Sequence, residues 1–282
     1  MNALRAKSPI RLSWTHYRII PRHPRRRHPL VPPFWQGMKY FHPFFGGSKK
    51  NRYLCRVMKI LSYNINKFTQ EKLDKVLQME AGVYVLPEVA CPSMVQLPEG
   101  FEMVWTGDID HKGLGVIWKS KFKAVVPEWF NPAHRYFIPL QFDDFQILAS
   151  WPTMMEQNKP KRYPQILMEA LQEYEPHLKN HPTIITGDMN CYKGQSGATK
   201  QYSIEAIFEY LKSLGYTSAY HDMTCEELGH ETIPTFYYLF KENAPFFLDY
   251  TFSNSKIKFI SYRLLNWDKE LSDHVAQEII IC

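Results

Sequence analysis

The octet Thr183-Ile184-Ile185-Thr186-Gly187-Asp188-Met189-Asn190 holds more structural information than any other segment of the chain. Four β-branched residues in a row predict a buried strand. Gly187 then lets the backbone turn tightly where that strand ends. The turn brings together a carboxylate and an amide, which can act on one water molecule as its base and its orienter. By itself the pattern Gly-Asp-x-Asn more often marks a plain turn, so its interpretation depends on the rest of the chain.

Four other segments carry polar residues of the same kinds, and most of them also follow an apolar run. They are SYNIN at 62–66, VLPE at 85–88, FLD at 247–249 and LSDH at 271–274. Buried strands deliver such residues to the edge of a sheet. The five segments supply three amides, four carboxylates and one imidazole. This set predicts a single polar site assembled from distant parts of the chain.

The types of residue in these segments indicate a metal ion and a phosphate group. Glu88 suits a hard, oxygen-ligated cation such as Mg²⁺, which takes one or two protein carboxylates. Asp273 is a second possible metal ligand, and the imidazole of His274 can bind a phosphate oxygen. Asp249 can fix the tautomer and charge of that imidazole by a hydrogen bond. Singly, each of these residues is more often an ordinary solvated side chain.

Strand and helix signals alternate along residues 58–282. Strands are predicted at 59–63, 83–86, 101–105, 114–118, 136–142, 145–150, 183–186, 235–240, 246–252, 257–264 and 275–281. Helices are predicted at 68–79, 163–175 and 204–214, with Pro164 in the first turn of the second helix and Pro176 ending it. Mixed strands in both halves, with helices between them, predict an α/β fold in which two mixed β-sheets pack face to face with helices outside.

Residues 1–57 differ in composition from the remainder. They contain 13 of the 34 Lys and Arg residues, seven prolines and no Asp or Glu. Proline at this density opposes both helices and central strands. The segment is a disordered basic tail, an organelle-targeting peptide or an upstream extension before a natural start at Met58. We favour the start at Met58, and residues 58–282 then form one catalytic domain.

In the order and spacing of these motifs, the chain resembles the endonuclease/exonuclease/phosphatase superfamily, which includes exonuclease III-type nucleases and DNase I. The resemblance runs over the whole body of the chain after the tail. It implies a DNase I-like four-layer α/β sandwich, in agreement with the element pattern. It also implies that an in-line water hydrolyses a phosphate ester with the help of Mg²⁺, with Mn²⁺ as an alternative.

The resemblance assigns a role to each motif residue. The implied catalytic residues are Asp188, Asn190, Asp249 and His274, and the implied metal-site residues are Asn64, Glu88 and Asp273, with Asn66 close by as a substrate contact. Two departures from the family pattern stand out. Pro87 replaces the amide residue that usually precedes the glutamate. At the end of the 145–150 strand, Ser150 or Trp151 occupies the place of a His or Tyr that serves the leaving group.

The charge distribution bears on the substrate. Beyond the tail, 21 basic residues face 28 acidic ones, which suits a long duplex phosphate backbone poorly. Lys161 and Arg162, in the basic run 159–162, can bind a phosphate near a helix start, and Trp151 can stack on a base. We therefore expect a nuclease for short or single-stranded nucleic acid. The alternatives are a phosphatase for a small phosphorylated molecule and, third, a non-catalytic binding domain.

Composition also sets expectations for location and assembly. No run of 18 apolar residues occurs, so no transmembrane helix is expected. The five cysteines show no CxxC spacing and indicate a reducing compartment rather than a disulfide framework or a zinc site. We expect a cytoplasmic monomer that binds a phosphate-ester substrate, with nucleic acid as a candidate.

Overall fold

A computed structural model describes residues 57–154, 161–257 and 259–282. Almost all of the predicted tail and the first half of the basic run 159–162 therefore lie outside the described residues. The strands are β1 (Met58–Ser62), β2 (Val83–Val89), β3 (Phe101–Ile109), β4 (Lys112–Lys119), β5 (Ala124–Val125), β6 (Phe137–Phe142), β7 (Gln146–Ser150), β8 (Thr183–Asp188), β9 (Tyr216–Ser218), β10 (Phe236–Tyr237), β11 (Pro245–Phe246), β12 (Asp249–Asn254), β13 (Phe259–Leu264) and β14 (Gln277–Ile281). The α-helices are α1 (Gln70–Leu77), α2 (Tyr163–Leu178), α3 (Ile204–Ser213) and α4 (Ala219–Thr224).

Two six-stranded sheets carry the fold. Their strand orders are β13-β14-β1-β2-β4-β3 and β5-β6-β7-β8-β12-β9. Each sheet contains one parallel pair, β1 with β2 and β7 with β8, among antiparallel neighbours. The prediction of two mixed sheets is therefore confirmed, and the architecture is the predicted four-layer α/β sandwich.

Alternation along the strands of the first sheet explains its packing between two layers. Ile60 belongs to the large core shared with the second sheet, whereas the next residue, Leu61, belongs to a second core under α1. Val83 and Tyr84 divide in the same way on β2. Successive strand residues point to opposite faces of the sheet. Because both odd and even positions are apolar here, both faces of the sheet are buried. The apolar side chains of α2 and α3 join the large core with the second sheet.

Several local predictions are wrong. Pro176 does not end α2, which continues to Leu178. The segment predicted as one strand at 235–240 is a two-residue strand followed by a 3₁₀ turn in which Leu239 has a φ of 54°. Cys282 is disulfide-bonded, although the cysteine spacing gave no sign of a bridge. Within the described ranges, no helix has the length and apolar character needed to cross a membrane.

Candidate active site

The strand topology brings four of the five polar segments to one edge of the sandwich. Asp188 ends β8 and lies opposite Asp249, the first residue of the antiparallel neighbour β12. In the other sheet, Asn64 follows β1, while His274 precedes its antiparallel neighbour β14. Two of the segments expected at strand ends therefore stand at strand beginnings. Because neighbouring strands run antiparallel, the beginning of one strand meets the end of the next at the same edge.

A chain of buried polar contacts links the two sheets at this edge. Asn64 Nδ2 donates a hydrogen bond to Asp188 Oδ2 over 3.0 Å. The same carboxylate oxygen lies 3.8 Å from His274 Nε2. His274 Nδ1 in turn lies 2.9 Å from Asp249 Oδ2. All four side chains are at most 5% exposed.

The buried charges of this cluster raise the pKa of two groups. Burial disfavours the imidazolium of His274, but the charges of Asp249 and Asp188 outweigh it and raise the pKa to about 9. Burial raises the pKa of Asp188 to about 7, although the charge of His274 opposes this change. At neutral pH the imidazole is therefore protonated and carries a positive charge between two carboxyl groups. Its Nδ1 lies 2.9 Å from Asp249, and its Nε2 lies 3.8 Å from Asp188.

The turn after β8 depends on Gly187. Its φ is 149°, and a Cβ at this position would come within 1.9 Å of the Ser150 carbonyl oxygen on the adjacent strand. Only glycine allows the two strands to approach so closely. After the turn, the backbone N–H of Asn190 donates to Asp188 Oδ1 over 2.9 Å, which fixes the carboxylate. The side-chain amide of Asn190 donates to the carbonyl of Pro152 over 3.2 Å.

Two hydroxyl residues to which the sequence assigned no role hold the loops in place. Thr235 Oγ1 accepts a hydrogen bond from the backbone N–H of Asp249 over 3.0 Å. Ser272 Oγ donates to the Asn64 carbonyl over 2.6 Å and accepts from the backbone N–H of His274 over 3.0 Å. Ser272 lies inside the LSDH segment at 271–274, so the sequence did offer a signal for it. Thr235 carries no sequence signal that links it to Asp249.

Glu88 is the extra residue of a β-bulge. The register between β2 and β4 shifts between Pro87 and Val89, and Glu88 has a φ of 66°. A bulge bends the strand and re-aims a side chain. Strand β2 therefore extends past the predicted end at 86. The Glu88 carboxylate is the acceptor for the Lys67 backbone N–H over 3.3 Å and lies 3.2 Å from Lys112 Nζ.

The carboxylates of Glu88 and Asp273 are oxygen ligands of the kind that suits a hard divalent cation. Asp273 Oδ1 is buried and has no hydrogen-bond partner among the described residues. Burial raises the pKa of Asp273, the charge of His274 opposes this, and the nearby Glu88 adds to the rise. An unsatisfied carboxylate oxygen beside a second carboxylate is a setting that a bound cation would complete. A second possible set is Asp188, Asp249 and His274, whose ligand atoms lie within 4.8 Å of one another.

The remaining predicted contacts lie around the edge of this cluster. Asn66 lies two residues after Asn64, and its backbone N–H donates to Asn64 Oδ1 over 3.0 Å. Lys161 Nζ, two residues before α2, lies 2.6 Å from Glu169 Oε2 of that helix. Arg162 is exposed immediately before α2, whose first residue, Tyr163, has a pKa raised by burial and then by the charge of Asp188.

The position at the end of β7 that was expected to protonate the leaving group holds Ser150 and Trp151, neither of which is a good general acid. Ser150 is fully buried, and its hydroxyl oxygen has no partner among the described residues. Trp151 is 4% exposed and packs edge-on against Tyr136 at 5.1 Å between ring centroids. Its ring therefore presents little surface on which a substrate base could stack.

Comparison with known proteins identifies the fold. No protein-family model matches the chain, and no curated protein matches its sequence. Among solved structures, the 3′ phosphatase NExo from Neisseria, bound to a product DNA hairpin, is similar with a TM-score of 0.59 and 17% identity, over 79% of this chain and 98% of that one. An AP endonuclease from Archaeoglobus fulgidus gives a TM-score of 0.59 and 13% identity, over 79% of this chain and 99% of that one. The endonuclease domain of TRAS1, a telomere-specific non-LTR retrotransposon, gives a TM-score of 0.57 and 14% identity, over 79% of this chain and 98% of that one. This chain therefore has the DNase I-like fold that it shares with these solved structures.

Proposed function

We propose that the chain is a metal-dependent phosphoesterase that hydrolyses phosphodiester bonds, and that its substrate is nucleic acid. The observation that carries this proposal is the buried His274 between Asp249 and Asp188, beside Asn64. The fold supports it, because similar folds are seen in a DNA 3′ phosphatase and in an AP endonuclease. These solved structures share less than 20% identity with the chain, so the site carries more of the argument than the likeness does.

The buried cluster supplies two of the groups that phosphate hydrolysis needs. His274 is positively charged at neutral pH and can stabilise the negative charge that builds on the phosphate oxygens in the transition state. Asp249 keeps that charge in place through the contact with Nδ1. Asp188, with a pKa of about 7, can accept a proton from the attacking water near neutral pH. The amides of Asn64 and Asn190 fix the position of that carboxylate or of the water.

The proposed metal is Mg²⁺, with Mn²⁺ as an alternative, held by Glu88 and Asp273 near Asn64. When bound, such an ion neutralises charge on the phosphate and on the leaving oxygen. We prefer this set to Asp188, Asp249 and His274, because His274 already lies 2.9 Å from Asp249 and 3.8 Å from Asp188. The buried Asp273 Oδ1, by contrast, has no hydrogen-bond partner among the described residues.

The charge of the body favours short or single-stranded nucleic acid over long duplexes, because each phosphate contact to a duplex needs a cation. The same acidic body is compatible with the second candidate, a phosphatase for a small phosphorylated molecule. The proposed phosphate contacts at the rim are Lys161 and Arg162, together with Asn66. A cytoplasmic location and a monomeric state also remain predictions.

A chromogenic assay tests the proposal and separates its two candidates. We expect Mg²⁺-dependent hydrolysis of bis-nitrophenyl phosphate, which exceeds hydrolysis of the mono-ester if the enzyme is a diesterase. The order reverses for a phosphatase. Asp188→Asn should abolish activity, whereas Asp222→Asn, a matched change at an exposed position on α4, should not. A folded protein with no activity on either ester or on oligonucleotides would support a binding domain and refute the enzyme.

A further inference from the structure

Lys112 lies at the carboxylate that we assign to the metal. It is the first residue of β4, and its ammonium nitrogen is 3.2 Å from Glu88 Oε1. The contact follows from the bulge in β2: Gly113 pairs with Val89, so Lys112 stands beside the re-aimed Glu88 side chain. The other carboxylate oxygen is the acceptor for the backbone N–H of Lys67. Both oxygens of Glu88 are therefore engaged in the structure.

We propose that Lys112 competes with the divalent metal for Glu88: its ammonium group holds the carboxylate in the metal-free protein and leaves when the metal binds. This inference rests on the metal site of the proposed function. A lysine ammonium is a single mobile positive charge on a flexible stem, so it can neutralise the carboxylate without fixing a coordination geometry. A divalent ion on the same carboxylate would face that ammonium, and the two positive charges repel each other.

The surroundings give the displaced side chain somewhere to go. Lys112 Nζ lies 5.4 Å from the centroid of the Trp151 ring, within the range of a cation–π contact. The Lys112 side chain is 44% exposed, whereas the Glu88 side chain is 17% exposed. The lysine can therefore move towards solvent, while the carboxylate stays at the site.

Competition also explains how the metal-free site tolerates its carboxylates. Glu88 and Asp273 are the two carboxylates that we assign to one cation, and like charges at one site repel each other. Lys112 offsets the charge of Glu88, while Asp273 Oδ1 remains without a partner among the described residues. A metal that replaces the ammonium would serve both carboxylates, whereas the ammonium contacts only Glu88.

The test is Mn²⁺ binding without substrate, measured from the electron paramagnetic resonance signal of the free ion. Lys112→Met keeps the length of the stem and removes the charge. We expect this variant to bind Mn²⁺ about tenfold more tightly than the wild type, since one competing unit charge is lost. Lys119→Met, at the other end of β4, removes the same net charge and should change the affinity less than twofold. In a Glu88→Gln background, Lys112→Met should have no effect on the affinity.

The outcomes separate this inference from the proposed reaction. Equal or weaker Mn²⁺ binding by folded Lys112→Met, compared with the wild type, overturns the competition whether or not the protein hydrolyses phosphate esters. An equal gain in Lys119→Met overturns it as well, because the effect is then general electrostatics. Tighter Mn²⁺ binding by Lys112→Met, together with a wild type that hydrolyses no phosphate ester, supports the competition and refutes the reaction. Absence of Mn²⁺ binding in every variant refutes both. Thermal denaturation of each variant establishes that it is folded.

Discussion

Replacement of Gly187 by alanine tests how the site is built into the sandwich. The octet that contains Gly187 predicted a tight turn at a strand end, and the structure gives a specific reason for glycine. A Cβ here would lie 1.9 Å from the Ser150 carbonyl oxygen and 2.9 Å from its carbonyl carbon. Both atoms belong to the backbone of β7, which is hydrogen-bonded in parallel to β8. No side-chain rotation relieves this clash, so the strands themselves must move apart.

The expected cost combines two contributions. A φ of 149° is strained for a residue with a side chain, and this strain costs about 1–3 kcal/mol. Forcing extra volume against a packed backbone costs roughly another 1–3 kcal/mol. We therefore expect Gly187→Ala to lower the free energy of unfolding by about 4 kcal/mol, which corresponds to a fall in Tm of about 8–16 °C for a domain of this size.

Gly194→Ala is the matched control. Gly194 also has a positive φ, 79°, but a Cβ there would meet no atom within 4 Å. The control should lose only the backbone preference, about 1–2 kcal/mol, or about 2–8 °C in Tm. Calorimetry of both variants at one pH measures the difference. If Gly187→Ala melts no lower than Gly194→Ala, the close approach of β7 and β8 is not what requires glycine.

Three further perturbations address the charges and contacts of the site. Asp249→Asn removes the carboxylate that contacts His274 Nδ1, so the pKa of His274 should fall from about 9. The alkaline limit of the pH–rate profile should then move to lower pH. An unchanged limit would show that the protonation of His274 does not control the rate. Burial raises the pKa of Asp188 to about 7, so its contribution to stability is complete below the ordinary aspartate range and is lost as the pH rises through 7. In EDTA, urea denaturation should show wild type losing stability relative to Asp188→Asn between about pH 4 and pH 7, and parallel curves would contradict the shift. Ser272→Ala removes the hydroxyl between Asn64 and His274 and should cost about 1–3 kcal/mol, measured by the same denaturation, and lower kcat more than it changes KM.

The sequence predicted those parts of the molecule that depend on local pattern. The apolar runs gave most strands of both sheets, and four of the five segments contained the residues that share one edge. The features that the sequence did not predict depend on the pairing of segments that are far apart in the chain. The contact of Lys112 with Glu88 needs the one-residue bulge in β2, and no rule of composition places a bulge at a particular residue. Thr235 supports Asp249 across 14 positions by a loop path that leaves no periodic signal. Pro176 lacks the N–H that would bond to the carbonyl four residues earlier, yet α2 continues for two more residues to Leu178, so proline shortened the helix without ending it at once.

The two sheets show why the site needs both halves of the sandwich. Read from one side, the first sheet runs β14-β1-β2-β4, and the second runs β12-β8-β7-β6 in the same relative directions. Strand β1 corresponds to β8, and β14 corresponds to β12. The residues of the site follow this correspondence: Asn64 and Asp188 stand after or at the ends of the first pair, and His274 and Asp249 stand before or at the beginnings of the second.

Each half therefore supplies one group from a strand end and one from a strand beginning, and the contacts that matter cross between halves. Asn64 reaches Asp188, and His274 reaches both Asp249 and Asp188. Within the first sheet alone, His274 would keep its neighbour Asp273 but lose Asp249 and Asp188, the two carboxylates that raise its pKa most. The charge that we propose for phosphate hydrolysis is thus a property of the packed pair of sheets, because one sheet supplies the imidazole and the other supplies these two carboxylates.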